Sequence, residues 1–211
     1  MAYIDDLQMM YPVNYITITR AGPPNGHSYH ALDLGWSSSY GGQNQGLYAC
    51  ADGTITAMVN DVNWNNYPGG PATYGNYFIV DHGGGVTTLC GHNQYNSAAV
   101  GVGNTVKKGQ RIANMNNTGY SFGSHCHFEV RLNGSRVNPL LYCYAYENQV
   151  VSQSSKYYDQ ILHIGDPAPD PGPDEPYGPP VPVTDEQKRA MLAIAAILDE
   201  RRRKTQHGIF T

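Results

Sequence analysis

The chain has 211 residues, room for one large domain or for one domain plus an appendage, with 40% hydrophobic and only 14% charged residues. Its net charge of −4 conceals a split: residues 1–183 hold 7 basic and 13 acidic side chains, whereas residues 184–211 hold 6 and 4. An acidic main part without a basic stripe argues against nucleic acid as a partner, and no run of 18 apolar residues is present to span a membrane.

The N-terminus, Met1-Ala2-Tyr3-Ile4-Asp5-Asp6, has neither a basic start nor an apolar run, so no secretory signal is expected. Residues 1–24 are read as an extension in which residues 15–20 alternate as a strand. Residues 21–26 hold Pro23-Pro24-Asn25-Gly26, which is loop chemistry. Residues 27–34 look extended, and residues 37–46 form a Ser/Gly/Gln loop. Strands then recur at 47–51, 53–59, 77–81, 86–91, 111–115 and 124–132, separated by Asp-Gly, His-Gly-Gly-Gly and Asn-Gly turns. No amphipathic helix is expected before residue 140, and residues 140–165 should run along the side of the sheet. The expected fold class is mainly β: antiparallel β-sheets with a groove over residues 25–165, plus a C-terminal Pro-rich linker and a single helix.

The linker is residues 166–183, where 8 of 18 positions are proline. Fully extended it would reach about 55 Å at ~3.1 Å per residue. Thr184-Asp185-Glu186-Gln187 then reads as a capping box opening a helix over residues 184–211. Its apolar stripe includes Met191, Leu192, Ile194, Ile197 and Leu198, and an isolated helix of this length is marginal in water. It should therefore dock to itself, to the parent domain or to a larger assembly. Four cysteines without a CxxC pair read as buried free thiols.

The densest chemistry lies in Gly123-Ser124-His125-Cys126-His127-Phe128-Glu129-Val130. Strand side chains alternate between faces, so His125, His127 and Glu129 share one face while Cys126, Phe128 and Val130 share the other. The apolar set can bury itself while two imidazoles stand over a cleft, and neutral imidazole is the commonest metal ligand. Further ligands must come from elsewhere. Asp33, between Leu32 and Leu34, has no evident structural duty and is the best carboxylate. His27 and His30 compete for the remaining place. In an unbroken strand residue 27 faces the same side as Asp33, which favours His27, whereas a loop over residues 28–30 would overturn that parity. His92 ends an alternating strand and can reach a cleft. His82 reads as a turn residue, and His163 and His207 receive no function.

In order and spacing, residues 25–142 resemble the M23 (lysostaphin-type) zinc endopeptidases. The resemblance is carried by His27 and Asp33, by Tyr48-Ala49-Cys50-Ala51-Asp52-Gly53, by Val80-Asp81-His82-Gly83-Gly84-Gly85 with Gly91-His92, and by Val106-Lys107-Lys108-Gly109-Gln110. The closing pieces are Thr118-Gly119, the His125-Cys126-His127 strand and Asn138-Pro139. The resemblance implies that His27, Asp33 and His127 bind Zn²⁺ and that His92 and His125 are the catalytic pair beside it. Two departures stand out. That family usually spaces its first His and Asp four apart, against six or three here. Its Tyr-x-His-Leu around the central His is Cys90-Gly91-His92-Asn93.

The expected function is zinc-dependent hydrolysis of peptidoglycan cross-bridge or stem peptides. The chain would act as a virion tail-associated lysin or extracellularly at the bacterial wall, its C-terminal helix docked to itself or to phage structural proteins. The rival expectation is a catalytically silent, M23-like structural or wall-binding module.

Overall fold

A computed structural model of the chain describes residues 7–22, 27, 30–65, 74–146, 149–152, 155 and 161. The Pro-rich linker and the helix expected from residue 184 lie outside the described residues. In chain order the strands are β1 (Met9–Met10), β2 (Tyr15–Ile16), β3 (Ile18–Ala21), β4 (Leu32–Leu34), β5 (Gly46–Tyr48), β6 (Gly53–Val59) and β7 (Asn76–Asp81). They continue as β8 (Val86–Asn93), β9 (Thr105–Val106), β10 (Arg111–Asn114), β11 (Cys126–Leu132), β12 (Ser135–Val137), β13 (Cys143–Tyr144) and β14 (Val150–Val151).

Eight of these make one sheet in the order β3-β4-β11-β8-β7-β6-β9, with β12 pairing the second half of β11. Every pairing within it is antiparallel. The mainly β, antiparallel expectation therefore holds for the sheet that carries the site. One departure lies at its margin: β1 pairs β13 and β14 pairs β2 in parallel. Two of the segments expected to run along the side of the sheet, within residues 140–165, thus clasp the N-terminal residues. Nor does the stretch before residue 25 stand apart, because β3 ends the main sheet.

The sheet has one dry face. Leu32, Phe128, Cys90 and Phe78 form a row of direct cross-strand partners, and none is more than 1% exposed. Val130, Thr88, Val80 and Ile55 form the next row and are equally buried. Directly opposed side chains project to the same face, so each row is a continuous apolar contact. The β5–β10 ribbon contributes the buried Leu47, Ile112 and Ala113 to the core. All four cysteines are free and buried, as expected. Burial raises the thiol pKa of Cys50, Cys90 and Cys143, which keeps these thiols protonated and unreactive.

His82, read as a turn residue, is buried and structural. Its Nδ1 lies 2.9 Å from the Asp52 carbonyl and its Nε2 2.9 Å from the Thr88 hydroxyl, tying the β7–β8 turn to the start of β6.

Candidate metal centre

The opposite face of the sheet carries a second row: Arg20 on β3, Asp33 on β4, His127 on β11 and Gly91 on β8, each the direct partner of the next. The same alternation that buries Phe128 therefore lifts His127 and Asp33 to a common surface. Their Nδ1 and Oδ1 atoms lie 3.2 Å apart. His27 Nε2 lies 3.0 Å from the same Asp33 oxygen. Ligand atoms of His27, Asp33 and His127 all fall within 4.8 Å of one another. His30 is not in the group.

The parity argument that favoured His27 is corrected by the structure. Strand β4 is only three residues long, so no unbroken strand links residue 27 to residue 33. His27 is instead held by its backbone N–H, which donates to the Ala21 carbonyl at 3.0 Å.

This donor set fits a zinc ion. Two imidazoles and one carboxylate converge from separate elements, all largely shielded from water, which is the three-ligand arrangement of hydrolytic zinc sites with a further position open. The electrostatics agree. Burial alone would raise the Asp33 pKa, but the His127 hydrogen bond and the nearby imidazoles lower it, so the carboxylate is ionised. Burial lowers the His27 pKa and outweighs Asp33, leaving a neutral imidazole with a lone pair to give. His127 titrates upward because Asp33 and Glu129 together override its burial.

Two further imidazoles stand beside this group. His125 precedes β11 and bridges to Asn116, with its Nδ1 2.8 Å from the Gly123 carbonyl. That contact turns Nε2 inward, to 3.6 Å from Asp33 Oδ1. His92 reaches the site by a different device. Alternation along β8 would place it with Thr88 and Cys90 on the dry face. The pairing with β7 runs Tyr77 to Gly91 and then Asn76 to Asn93, so His92 is the extra residue of a β-bulge. Its φ of 62° is the left-handed conformation that a side chain with a Cβ rarely adopts. The bulge turns the imidazole over to the groove, 4.7 Å from the His125 ring and 6.0 Å from His127, centroid to centroid.

The loops behind His92 must touch to hold it. Its Nδ1 lies 2.8 Å from the Thr118 carbonyl, and its backbone N–H donates to the Tyr74 carbonyl at 2.7 Å. Gly75 and Gly119, both at positive φ, allow that approach: a Cβ on Gly75 would sit 2.4 Å from the Thr118 carbonyl. Burial, and then the neighbouring His125, lowers the His92 pKa to about 3, so it is a neutral imidazole with a lone pair free at Nε2.

Sequence reasoning placed Glu129 on the right face but assigned it no role. Fully buried, it receives His127 Nε2 at 3.1 Å, the Tyr74 hydroxyl at 2.8 Å, Arg131 Nη2 at 2.6 Å and Arg136 Nε at 2.9 Å. Burial would raise its pKa, yet these four partners lower it to about 2. A carboxylate on the far nitrogen of a ligating imidazole fixes its tautomer and raises its basicity. The shared face of residues 125, 127 and 129 was the available signal. The partners Tyr74, Arg131 and Arg136 had none in the sequence.

All five candidates thus line one cavity of about 500 Å³, walled on one side by the loop carrying Tyr120 and Phe122. A β-sheet floor, a two-His-one-carboxylate cluster and two further imidazoles make a candidate metal site at the base of the groove. Residues 37–139 match Peptidase family M23, and the chain carries an M23 family domain. The match begins after His27 and Asp33, which the fold brings back to His127. Over 135 residues the chain is 32% identical to the DD-carboxypeptidase/endopeptidase Mpg of Neisseria meningitidis serogroup B, covering 62% of this chain and 28% of that protein. Over 102 residues it is 34% identical to the murein hydrolase activator NlpD of Escherichia coli, covering 48% of this chain and 24% of that one. The aligned part is therefore about a quarter of the length of these curated relatives. Among solved structures, an M23 peptidase from Pseudomonas aeruginosa aligns with a TM-score of 0.51 at 23% identity, over 69% of this chain and 54% of that one, a likeness of fold.

Proposed function

We propose that this chain is a zinc-dependent endopeptidase acting on the peptides of peptidoglycan. The observation that carries the reading is the convergence of His27, Asp33 and His127 beside His92 and His125. The family supports the peptidase assignment, and the names of the Mpg and NlpD relatives support the bacterial wall as the place of action.

In this reading His27, Asp33 and His127 hold the ion, which when bound polarises a carbonyl and makes water acidic enough to lose a proton near neutral pH. The chain's own residues do the rest. His92 Nε2, with Nδ1 committed to the Thr118 carbonyl, accepts a hydrogen bond from the attacking water and orients it. His125, its Nδ1–H held by the Gly123 carbonyl, presents Nε2 to the departing amine and donates there only after that nitrogen has taken up the proton given up by the attacking water. Glu129 keeps His127 from turning. An open groove floored by a sheet accepts an extended peptide. Delivery on a phage tail belongs to the same proposal and rests on the Pro-rich spacer and capping box in the sequence.

Incubation of purified peptidoglycan with the protein tests this. New free amino termini should be seen by mass spectrometry, should vanish with a chelator and should return with added zinc. Their absence at every zinc level overturns the activity. The similarity to NlpD favours the second reading, a wall-associated regulator, which predicts peptidoglycan binding without new termini.

A further inference from the structure

We infer that Arg20 is a specificity-determining residue that binds a carboxylate of the substrate, so that the groove selects anionic stem-type peptides over uncharged glycine bridges. This deepens the proposed peptidase reading and rests on it for the identity of the site.

Four observations lead there. First, Arg20 is the direct cross-strand partner of Asp33, so it projects to the groove face in the same row as the metal-binding group. Second, it lines the cavity and is the only Lys or Arg among the described residues that do so. Third, it is exposed, and no ion pair joins it to a carboxylate among the described residues. Asp33, the nearest acid along the row, is already met by His27, His125 and His127 at one oxygen. The contrast with Arg131 and Arg136 is informative, since both are consumed by Glu129. Fourth, the chain has a net charge of −4, so a free guanidinium at the groove is a local reversal of the general field.

The placement also says where the carboxylate lies. Strand β3 ends the sheet, one strand beyond Asp33, so Arg20 marks one end of the groove. Adjacent strands are about 4.8 Å apart and an extended peptide advances about 3.3 Å per residue. The contacted group therefore sits about one to three residues from the scissile bond. Stem peptides carry free carboxylates at that spacing, on their D-glutamyl residue and at their C-terminus. Polyglycine has none in its side chains. A guanidinium matches a carboxylate in a two-pronged geometry that an ammonium cannot copy.

Binding and cleavage are measured separately on the full chain loaded with zinc. The probes are the pentapeptide L-Ala–γ-D-Glu–L-Lys–D-Ala–D-Ala, its fully amidated analogue, and pentaglycine amide. In a His125→Ala background, calorimetry should show the free-acid peptide binding about tenfold more tightly than the amidated one. Arg20→Gln should erase that ratio and Arg20→Lys should keep part of it. With His125 intact, the Arg20→Gln loss should fall on KM and leave kcat nearly unchanged. Equal affinity for the free and amidated peptides, or an Arg20→Gln loss shared equally by all three probes, overturns the inference. So does an absence of binding by the free-acid peptide. Carboxylate-dependent binding without any cleavage would instead sink the peptidase activity and leave the role of Arg20 standing.

Discussion

His127 Nε2 meets Oε1 of Glu129 at 3.1 Å, on the ring edge away from the Asp33 contact at Nδ1. The imidazole is thus clamped between two carboxylates, and one of them is tied in turn to Tyr74, Arg131 and Arg136. Glu129→Gln keeps the size of the side chain and removes its charge. We expect zinc affinity, measured by chelator competition, to fall about 10- to 100-fold. Stability should fall by about 1–3 kcal/mol in urea titrations, because both arginines remain partly in contact with water and are not stranded in the core. Unchanged affinity would mean that the clamp does not act on the ligand.

The proposed mechanism divides the five-residue cluster into three residues that would hold the ion and two imidazoles that would act on the water and the leaving group, and that division is measurable. Replacing His92 or His125 by Ala should lower kcat by about 10²- to 10⁴-fold with full zinc content. His127→Ala should lose zinc as well as turnover. Elemental analysis showing less than one zinc per chain in the His92→Ala protein would contradict the division.

The contact between Gly75 and Thr118 has no spare room. Gly75→Ala would bring a Cβ 2.4 Å from the Thr118 carbonyl at a φ of +59°. Something must shift, and the group met is the Thr118 carbonyl that receives His92 Nδ1. We expect a loss of about 1–3 kcal/mol in thermal or urea unfolding. Turnover should also drop while zinc affinity is preserved. A variant with wild-type kcat would show that the Thr118 carbonyl does not position His92.

His82 makes stability depend on pH in a predictable direction. Burial lowers its pKa below the ordinary 6.5, outweighing the Asp52 carbonyl and the nearby Asp81 carboxylate. Below pH 6.5 the unfolded chain therefore takes up a proton that the folded chain resists. Stability falls as the pH drops from 6.5 toward the folded pKa, by at most about 1.4 kcal/mol per unit, and is indifferent to this group above about pH 7. Urea titrations of wild type and His82→Gln between pH 7.5 and 5 should diverge in slope only below 6.5. Parallel slopes would refute the assignment.

Much of this was legible in the sequence because two-residue alternation is a property of any strand. The faces of residues 125–130, the strand over residues 53–59 and the mainly β class all follow from that rule and from turn residues placed between apolar runs. Hydrophobic periodicity also separated Phe128 from His127 before any partner strand was known.

What the sequence by itself determined was therefore local: which side chains share a face, and which loops break the strands. Convergence was decided by tertiary structure. Pairing register brings Asp33 to His127 across 94 positions of chain, and no spacing within either segment encodes that number. The same holds more sharply for His92. Its own alternation points it into the core, and only a bulge against β7, braced by Gly75 and Thr118 from separate loops, turns it to the groove. Periodicity is a property of one strand, whereas a bulge is a mismatch between two. Its energy depends on the partner's register, so it is settled only when the chain closes on itself.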